Sequence, residues 1–210
     1  SLKKWKQVAE DAKEFSIGTN VSKLTSENNG VIKFKAVLQP IEYSIEFYGD
    51  KASGSMPRQK LMYDTATKLN ACTLKRIGYT FVGWSTELNG TVKYSDQQEV
   101  KNLTDVADKV VELYAQFKPN TYTITFSLPN GNTMPKIDAV YDKDVVLPAA
   151  NYEKIGYDFA GWSTSEDATK VKYESGVKLR NLTAEANGSV TLYPVWTKGE
   201  YFIIYDENGG

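Results

Sequence analysis

Gly78-Tyr79-Thr80-Phe81-Val82-Gly83-Trp84-Ser85-Thr86 returns as Gly156-Tyr157-Asp158-Phe159-Ala160-Gly161-Trp162-Ser163-Thr164, 78 residues further on. Self-similarity at a fixed spacing fixes the organisation of a chain before any local reading does. At the same offset Met62-Tyr63-Asp64 returns as Val140-Tyr141-Asp142. Beyond the tryptophan the offset becomes 79: Tyr94 matches Tyr173, and Asn102-Leu103-Thr104 matches Asn181-Leu182-Thr183. Leu113-Tyr114 and Phe117 match Leu192-Tyr193 and Trp196. The one-residue slip falls between Trp and Tyr, where a loop absorbs it.

The same pattern runs outward to both ends. Trp5, Phe15, Val21, Leu24-Thr25, Phe34, Ala36 and Pro40 lie 79 residues before Trp84, Tyr94, Val100, Leu103-Thr104, Leu113, Ala115 and Pro119. Residues 1–40 are thus the C-terminal half of a repeat, and 41–119 and 120–198 are complete repeats. Tyr43-Ser44-Ile45-Glu46-Phe47 and Tyr122-Thr123-Ile124-Thr125-Phe126 open the complete units. Tyr201-Phe202-Ile203-Ile204-Tyr205, in residues 199–210, opens a further one. The chain reads as a cut from a longer array. At about 79 residues each unit has the size of a small domain, burying roughly 60% of its unfolded surface.

Within a unit, Tyr122–Phe126 alternates large and polar side chains, the period of a half-buried strand. Pro129-Asn130-Gly131 is turn chemistry, and 137–141 returns as a second strand. Residues 142–154 lack alternation and are the best place for a short helix. The equivalent 65–76 has no proline and supports that helix better. Tyr157–Trp162 alternates again. Val190–Trp196 is the last strand, and its Pro194 points to an edge or a bulge. This order predicts an α+β fold, one short helix on a small sheet.

The ordered aromatics of Gly-Tyr-x-Phe-x-Gly-Trp-Ser-Thr, the Tyr-Thr-Ile-Thr-Phe opening and the Leu-Tyr-x-x-Phe/Trp closing resemble the internalin-type B-repeat, or Listeria–Bacteroides repeat. The resemblance covers nearly the whole chain. It implies tandem β-grasp-like domains, similar to ubiquitin or SUMO, in secreted, wall-attached bacterial proteins. The Asn-Gly-Gly usual after the opening strand survives only as Asn208-Gly209-Gly210. Tyr48-Gly49-Asp50-Lys51 and Ser127–Asn132 replace it in the complete units.

Composition narrows the function. The 25 basic and 26 acidic residues give a net charge of −1, which provides no basic field for nucleic acid. No apolar run approaches the ~20 residues that cross a bilayer. Ser1–Trp5 does not begin as a secretion signal. Histidine is absent, and with it the usual general base and the commonest metal ligand. Cys72 is the single cysteine; it has no internal disulfide partner and reads as a small apolar residue. A near-zero cysteine count fits a Gram-positive surface as well as a cytosol.

No catalytic, cofactor-binding or metal-binding residue is assigned. Trp84 and Trp162 read as equivalent, mostly buried core residues rather than sugar-stacking platforms. Asn20-Val21-Ser22, Asn102-Leu103-Thr104, Asn181-Leu182-Thr183 and Asn187-Gly188-Ser189 match the N-glycosylation pattern but read as turns. Lys23 replaces the asparagine before Leu24-Thr25, so the shared element is Leu-Thr, a core leucine beside a polar turn. Asp206-Glu207-Asn208-Gly209 is too short of oxygen ligands for calcium. Glu166-Asp167 has no cleft partner that would make an acid/base dyad.

The expectation is a non-enzymatic, extracellular repeat module without cofactor, a stalk or spacer at a bacterial cell surface or wall. The alternative is a direct adhesive module whose loops bind host protein or glycan. Partners are then surface proteins or glycans and neighbouring repeats, with no nucleic acid and no membrane insertion. Short polar junctions at 118–121 and 197–200 predict units laid end to end with little mutual burial, a rod approaching ~80 Å. The strand at 201–205 would complement the half unit of another molecule, head to tail.

Overall fold

The structure is a computed structural model and describes residues 2–8, 13–22 and 24–205. It divides into two compact units, Ser1–Leu74 with Val82–Gln116, and Lys75–Phe81 with Phe117–Gly210. Strands β1 (Leu2–Gln7), β2 (Glu14–Ser16) and β3 (Phe34–Leu38) form an antiparallel sheet in the order β2-β1-β3. There follow β4 (Glu42–Tyr48), β5 (Gln59–Met62), β6 (Thr67–Lys68), β7 (Tyr79–Ser85), β8 (Glu99–Val100) and β9 (Val110–Pro119). They form a sheet in the order β5-β4-β9-β7 and a ribbon β6-β8.

The same pattern then repeats. Strands β10 (Thr121–Phe126), β11 (Ile137–Val140), β12 (Val145–Val146), β13 (Tyr157–Ser163), β14 (Lys178–Leu179) and β15 (Gly188–Lys198) give the sheet β11-β10-β15-β13 and the ribbon β12-β14. β10 pairs antiparallel with β11 but parallel with β15, and β13 returns antiparallel to β15. The alternation seen in sequence is the alternation of burial. Tyr43 and Ile45 in β4, and Tyr122 and Ile124 in β10, point into their cores. The second core adds Ala139, Val145, Leu147, Trp162 and Leu192.

The predicted helix does not form. Among the described residues the helical element is one 3₁₀ turn, Pro129–Gly131, where Asn130 and Gly131 take φ of 58° and 73°. The α+β, β-grasp-like (ubiquitin/SUMO-like) expectation with a helix per unit is therefore corrected to an essentially all-β unit. Residues 65–76 and 142–154 carry the short strands β6 and β12 in place of a helix. Part of the reason is local. Val145, Val146, Thr65, Thr67 and Thr73 are β-branched and lose side-chain freedom in a helix, and Pro148 lacks a donor.

In the proline-free copy, other partners take the donors that a helix would need. Leu69 N–H donates to the Gln98 carbonyl (3.0 Å). Asn70 N–H donates to Gln59 Oε1 and Cys72 N–H to Asp96 Oδ1 (both 2.9 Å). Burial follows period two instead of 3.6: Val145 and Leu147 are inside and Val146 is out. Two inward residues separated by one outward are the strand period.

Pro194 lies in an inner strand, yet locally it behaves as an edge. Pairing of β15 with β10 ends at Leu192, so no neighbour asks Pro194 for a donor on that side. On the other side the ladder with β13 shifts register between Phe159 and Gly161.

Residues 75–81 are held in the second unit by Asn120, which lies between β9 and β10. Asn120 is 8% exposed and uses its whole polar inventory. Its N–H donates to the Gly78 carbonyl (2.8 Å), and its carbonyl accepts Tyr141 N–H (2.9 Å). Its side-chain oxygen accepts the Thr80 hydroxyl and its amide donates to the Ala184 carbonyl (both 2.7 Å). A buried amide is tolerated because each of these groups is paired.

Candidate functional site

The two repeated tryptophans are core residues. Trp84 and Trp162 are each 0% exposed. Each is roofed by the aromatic that closes the opening strand: Phe47 lies 4.8 Å from Trp84, and Phe126 4.7 Å from Trp162, between ring centroids. The Trp162 indole N–H donates to the Pro148 carbonyl at 2.7 Å. Neither ring is available to a sugar. The half repeat makes the reason visible. Trp5 pairs with Phe15 as Trp84 pairs with Tyr94, but among the described residues no ring meets it as Phe47 meets Trp84, and it is 40% exposed. Tyr201–Tyr205 are exposed and belong to no strand.

The Asn-Leu-Thr motifs are turn devices with two working parts. Asn102 accepts Asp64 N–H (2.6 Å) and returns its amide to the Asp64 carboxylate (3.0 Å). Asn181 does the same with Asp142, at 2.6 and 2.8 Å. All four residues have left-handed backbones, with φ between 54° and 62°, where Asn and Asp are the favoured side chains. The threonine is the second part. Thr25, Thr104 and Thr183 each accept the N–H two residues on, at 3.1, 3.2 and 3.2 Å. The sequence reading found the Leu-Thr part and missed the asparagine clasp. The co-occurrence of Tyr-Asp and Asn-Leu-Thr in both complete copies was the available signal.

This clasp has a pH signature. The Asn181 amide, and after it the Tyr79 hydroxyl (2.8 Å), hold the Asp142 carboxyl below its ordinary 3.8. A lowered folded pKa stabilises the fold above the ordinary value, and that contribution is lost as pH falls through the lowered one. In Asn181→Ala, carbon-detected NMR titration should show the Asp142 midpoint move up toward 3.8. An unchanged midpoint would assign the shift to other neighbours.

The two complete copies differ on the face where the first and last strands run side by side. In the first unit Tyr48 stacks on Tyr114 with centroids 5.3 Å apart and planes 23° from parallel. Tyr48 donates to Glu46 (2.6 Å), which pushes its pKa up to about 12, and Tyr114 donates to Glu112 (2.7 Å). Glu46 also pairs with Arg58, and the Tyr48 and Arg58 contacts together hold its carboxyl below the usual range. In the second unit threonines replace both glutamates, and Thr125 and Thr191 bond each other at 3.1 Å.

Ser127 stands where Tyr48 stands in the first unit, so Tyr193 has no ring laid over it from that position. There a cleft of about 560 Å³ opens, walled by Tyr152, Tyr193, Pro194 and Trp196, with Asn130, Glu153, Lys154 and Glu166 at its polar margins. Tyr152 and Trp196 meet edge to face at 5.1 Å. The Tyr152 hydroxyl is buried beside the Trp196 indole. Burial, opposed by that indole, raises the Tyr152 pKa.

The remaining sequence candidates are not drawn together. Among the described residues no group of three metal-ligating side chains converges. Asp206–Gly209 lies outside the described residues. Cys72 is half-buried, and burial pushes its thiol pKa up, away from the reactive thiolate. Glu166 lines the cleft, while its neighbour Asp167 does not.

Comparison with known proteins agrees with the repeat. Over 173 residues the chain is 30% identical to a protein described as a Gly-rich membrane protein of Evansella cellulosilytica, covering 80% of this chain and 19% of that protein. Over 124 residues it is 32% identical to Internalin H of Listeria monocytogenes, covering 59% of this chain and 20% of that protein. The chain thus spans about a fifth of the length of these relatives. The model of the Listeria-Bacteroides repeat domain matches residues 43–116 and again 122–195. The chain belongs to the Listeria–Bacteroides repeat family and carries two tandem copies of its domain.

Proposed function

We propose that the chain is a non-catalytic spacer in a bacterial surface protein, setting the distance between an outer domain and the cell wall. The observation that carries this reading is the join between copies. β9 ends at Pro119 and β10 begins at Thr121, so one residue, Asn120, separates the last strand of one copy from the first of the next. All four polar groups of that residue are bonded. Copies of one small unit following one another along the chain suit a module whose product is length. The membrane-protein and internalin descriptions of the relatives support a place at the surface.

The test is a wall-anchored reporter with this chain set between a ligand-binding domain and the anchor. Replacing the chain by an unrelated repeat array of equal length should preserve ligand capture, and deleting it should abolish capture. Loss of capture on replacement would favour the adhesive alternative, in which the chain itself supplies the contact.

A further inference from the structure

We propose that the cleft of the second unit is a binding subsite for a neutral, β-linked oligosaccharide, a role beyond that of a spacer. Three observations converge on it. First, the cleft of the second unit lies where that unit departs from the first by particular substitutions. The first unit covers Tyr114 with Tyr48 and buries Leu74 beneath Gly49. The second has Ser127 in place of Tyr48 and the ring of Tyr152 in place of Leu74. On the same scaffold the first copy carries a stacked pair of tyrosines and the second carries the cleft.

Second, the walls are of the right chemistry. Tyr152, Tyr193 and Trp196 supply aromatic surface at about 560 Å³, within the ~300–1,000 Å³ of small-ligand sites. Sugars with equatorial hydroxyls present a flat C–H face that packs on such rings, while their hydroxyls seek acceptors and amides at the margin. Glu153, Glu166 and Asn130 stand at that margin. Such a mix of apolar wall and few polar groups fixes orientation as well as affinity.

Third, charge selects among glycans. Two carboxylates face one ammonium, Lys154, so the cleft carries a net negative charge and disfavours sialylated or uronate chains. A β-1,4 linkage keeps successive rings extended, so that neighbouring sugars can meet the separate rings of Tyr152, Tyr193 and Trp196. In a tandem array a weak site of this kind gains from multivalency.

The test uses the full chain and NMR amide shifts with cellotetraose and chitotetraose, and sialyllactose as the anionic probe. Binding of a neutral probe should move amides of 127–132, 152–155 and 193–196, and leave those around Tyr48 and Tyr114 in place. Trp196→Ala should weaken it by at least about tenfold, roughly 1.4 kcal/mol. Ser127→Tyr, which writes the first unit's stack into the second, should abolish binding while leaving the thermal midpoint within a few degrees. Because that variant closes the cleft without emptying the core, loss of binding there reads the site and not the fold. Absence of shifts with both neutral probes, shifts that survive Ser127→Tyr, or preference for sialyllactose would each overturn the proposal.

Discussion

Trp162→Ala should lower the stability of the second unit by about 3–5 kcal/mol, the usual cost of emptying a buried tryptophan site. A unit of this size holds roughly 4–12 kcal/mol in total, so one change removes much or all of it. The cost has identifiable parts. Trp162 is fully buried among Phe126, Phe159 and Leu147, and its truncation leaves a cavity that the sheet closes poorly. It also orphans the Pro148 carbonyl, which accepts the indole N–H. Trp84→Ala should do the same to the first complete copy.

Trp5→Ala should cost far less, because that ring is 40% exposed. Hydrogen exchange resolves the three positions in one chain. Amides of β10, β13 and β15 should lose protection in Trp162→Ala while β4 keeps its own, and the reverse should hold for Trp84→Ala. Equal losses at Trp5 and Trp162 would refute the view that burial under the opening strand gives the motif its role.

What the sequence made legible was whatever has a period. Tyr122-Thr-Ile-Thr-Phe126 reads as a strand because each side chain's fate is set by its neighbour two places on, and the structure buries Tyr122 and Ile124 accordingly. Trp84 and Trp162 were placed in the core by recurrence alone. The helix was misjudged at 142–154 because an extended segment of two paired residues is too short to show alternation. Val145 and Val146 pair with Leu179 and Lys178, 34 and 32 residues away, and no local window contains that information.

The clasp from Asn181 to Asp142 spans 39 residues and was hidden for the same reason. The cleft was legible in principle. Ser127 against Tyr48 and Tyr152 against Leu74 are visible once the copies are laid side by side. Their meaning depends on knowing that these positions share a face with Tyr193 and Trp196, and only the parallel pairing of β10 with β15 puts them there.

The second glycine of Gly-Tyr-x-Phe-x-Gly-Trp should prove nearly as intolerant as the tryptophan beside it. Gly161 has φ of 150°, and a Cβ there would lie 2.8 Å from the Tyr173 carbonyl oxygen and 2.6 Å from Val171 Cγ1. Gly83 repeats this, at φ 141° with Tyr94 O at 2.6 Å and Val92 Cγ1 at 2.5 Å. The valine methyls have some freedom to move, but the carbonyls do not. Each belongs to the residue whose backbone clamps the tryptophan: Trp162 N–H donates to Tyr173 O at 2.8 Å and Tyr173 N–H to Trp162 O at 2.9 Å.

An alanine must therefore strain its own backbone, at about 1–3 kcal/mol. It must also push the 171–173 segment off β13, at about 1–3 kcal/mol more. Gly176→Ala separates the two costs. Gly176 also has positive φ, 79°, but a Cβ there meets nothing within 4 Å, so only the backbone penalty of ~1–2 kcal/mol applies. Chemical denaturation of both variants should show Gly161→Ala losing at least twice what Gly176→Ala loses. Near-equal losses would mean that the glycine is kept for its backbone angle alone, and that the close approach of Tyr173 to β13 yields without cost.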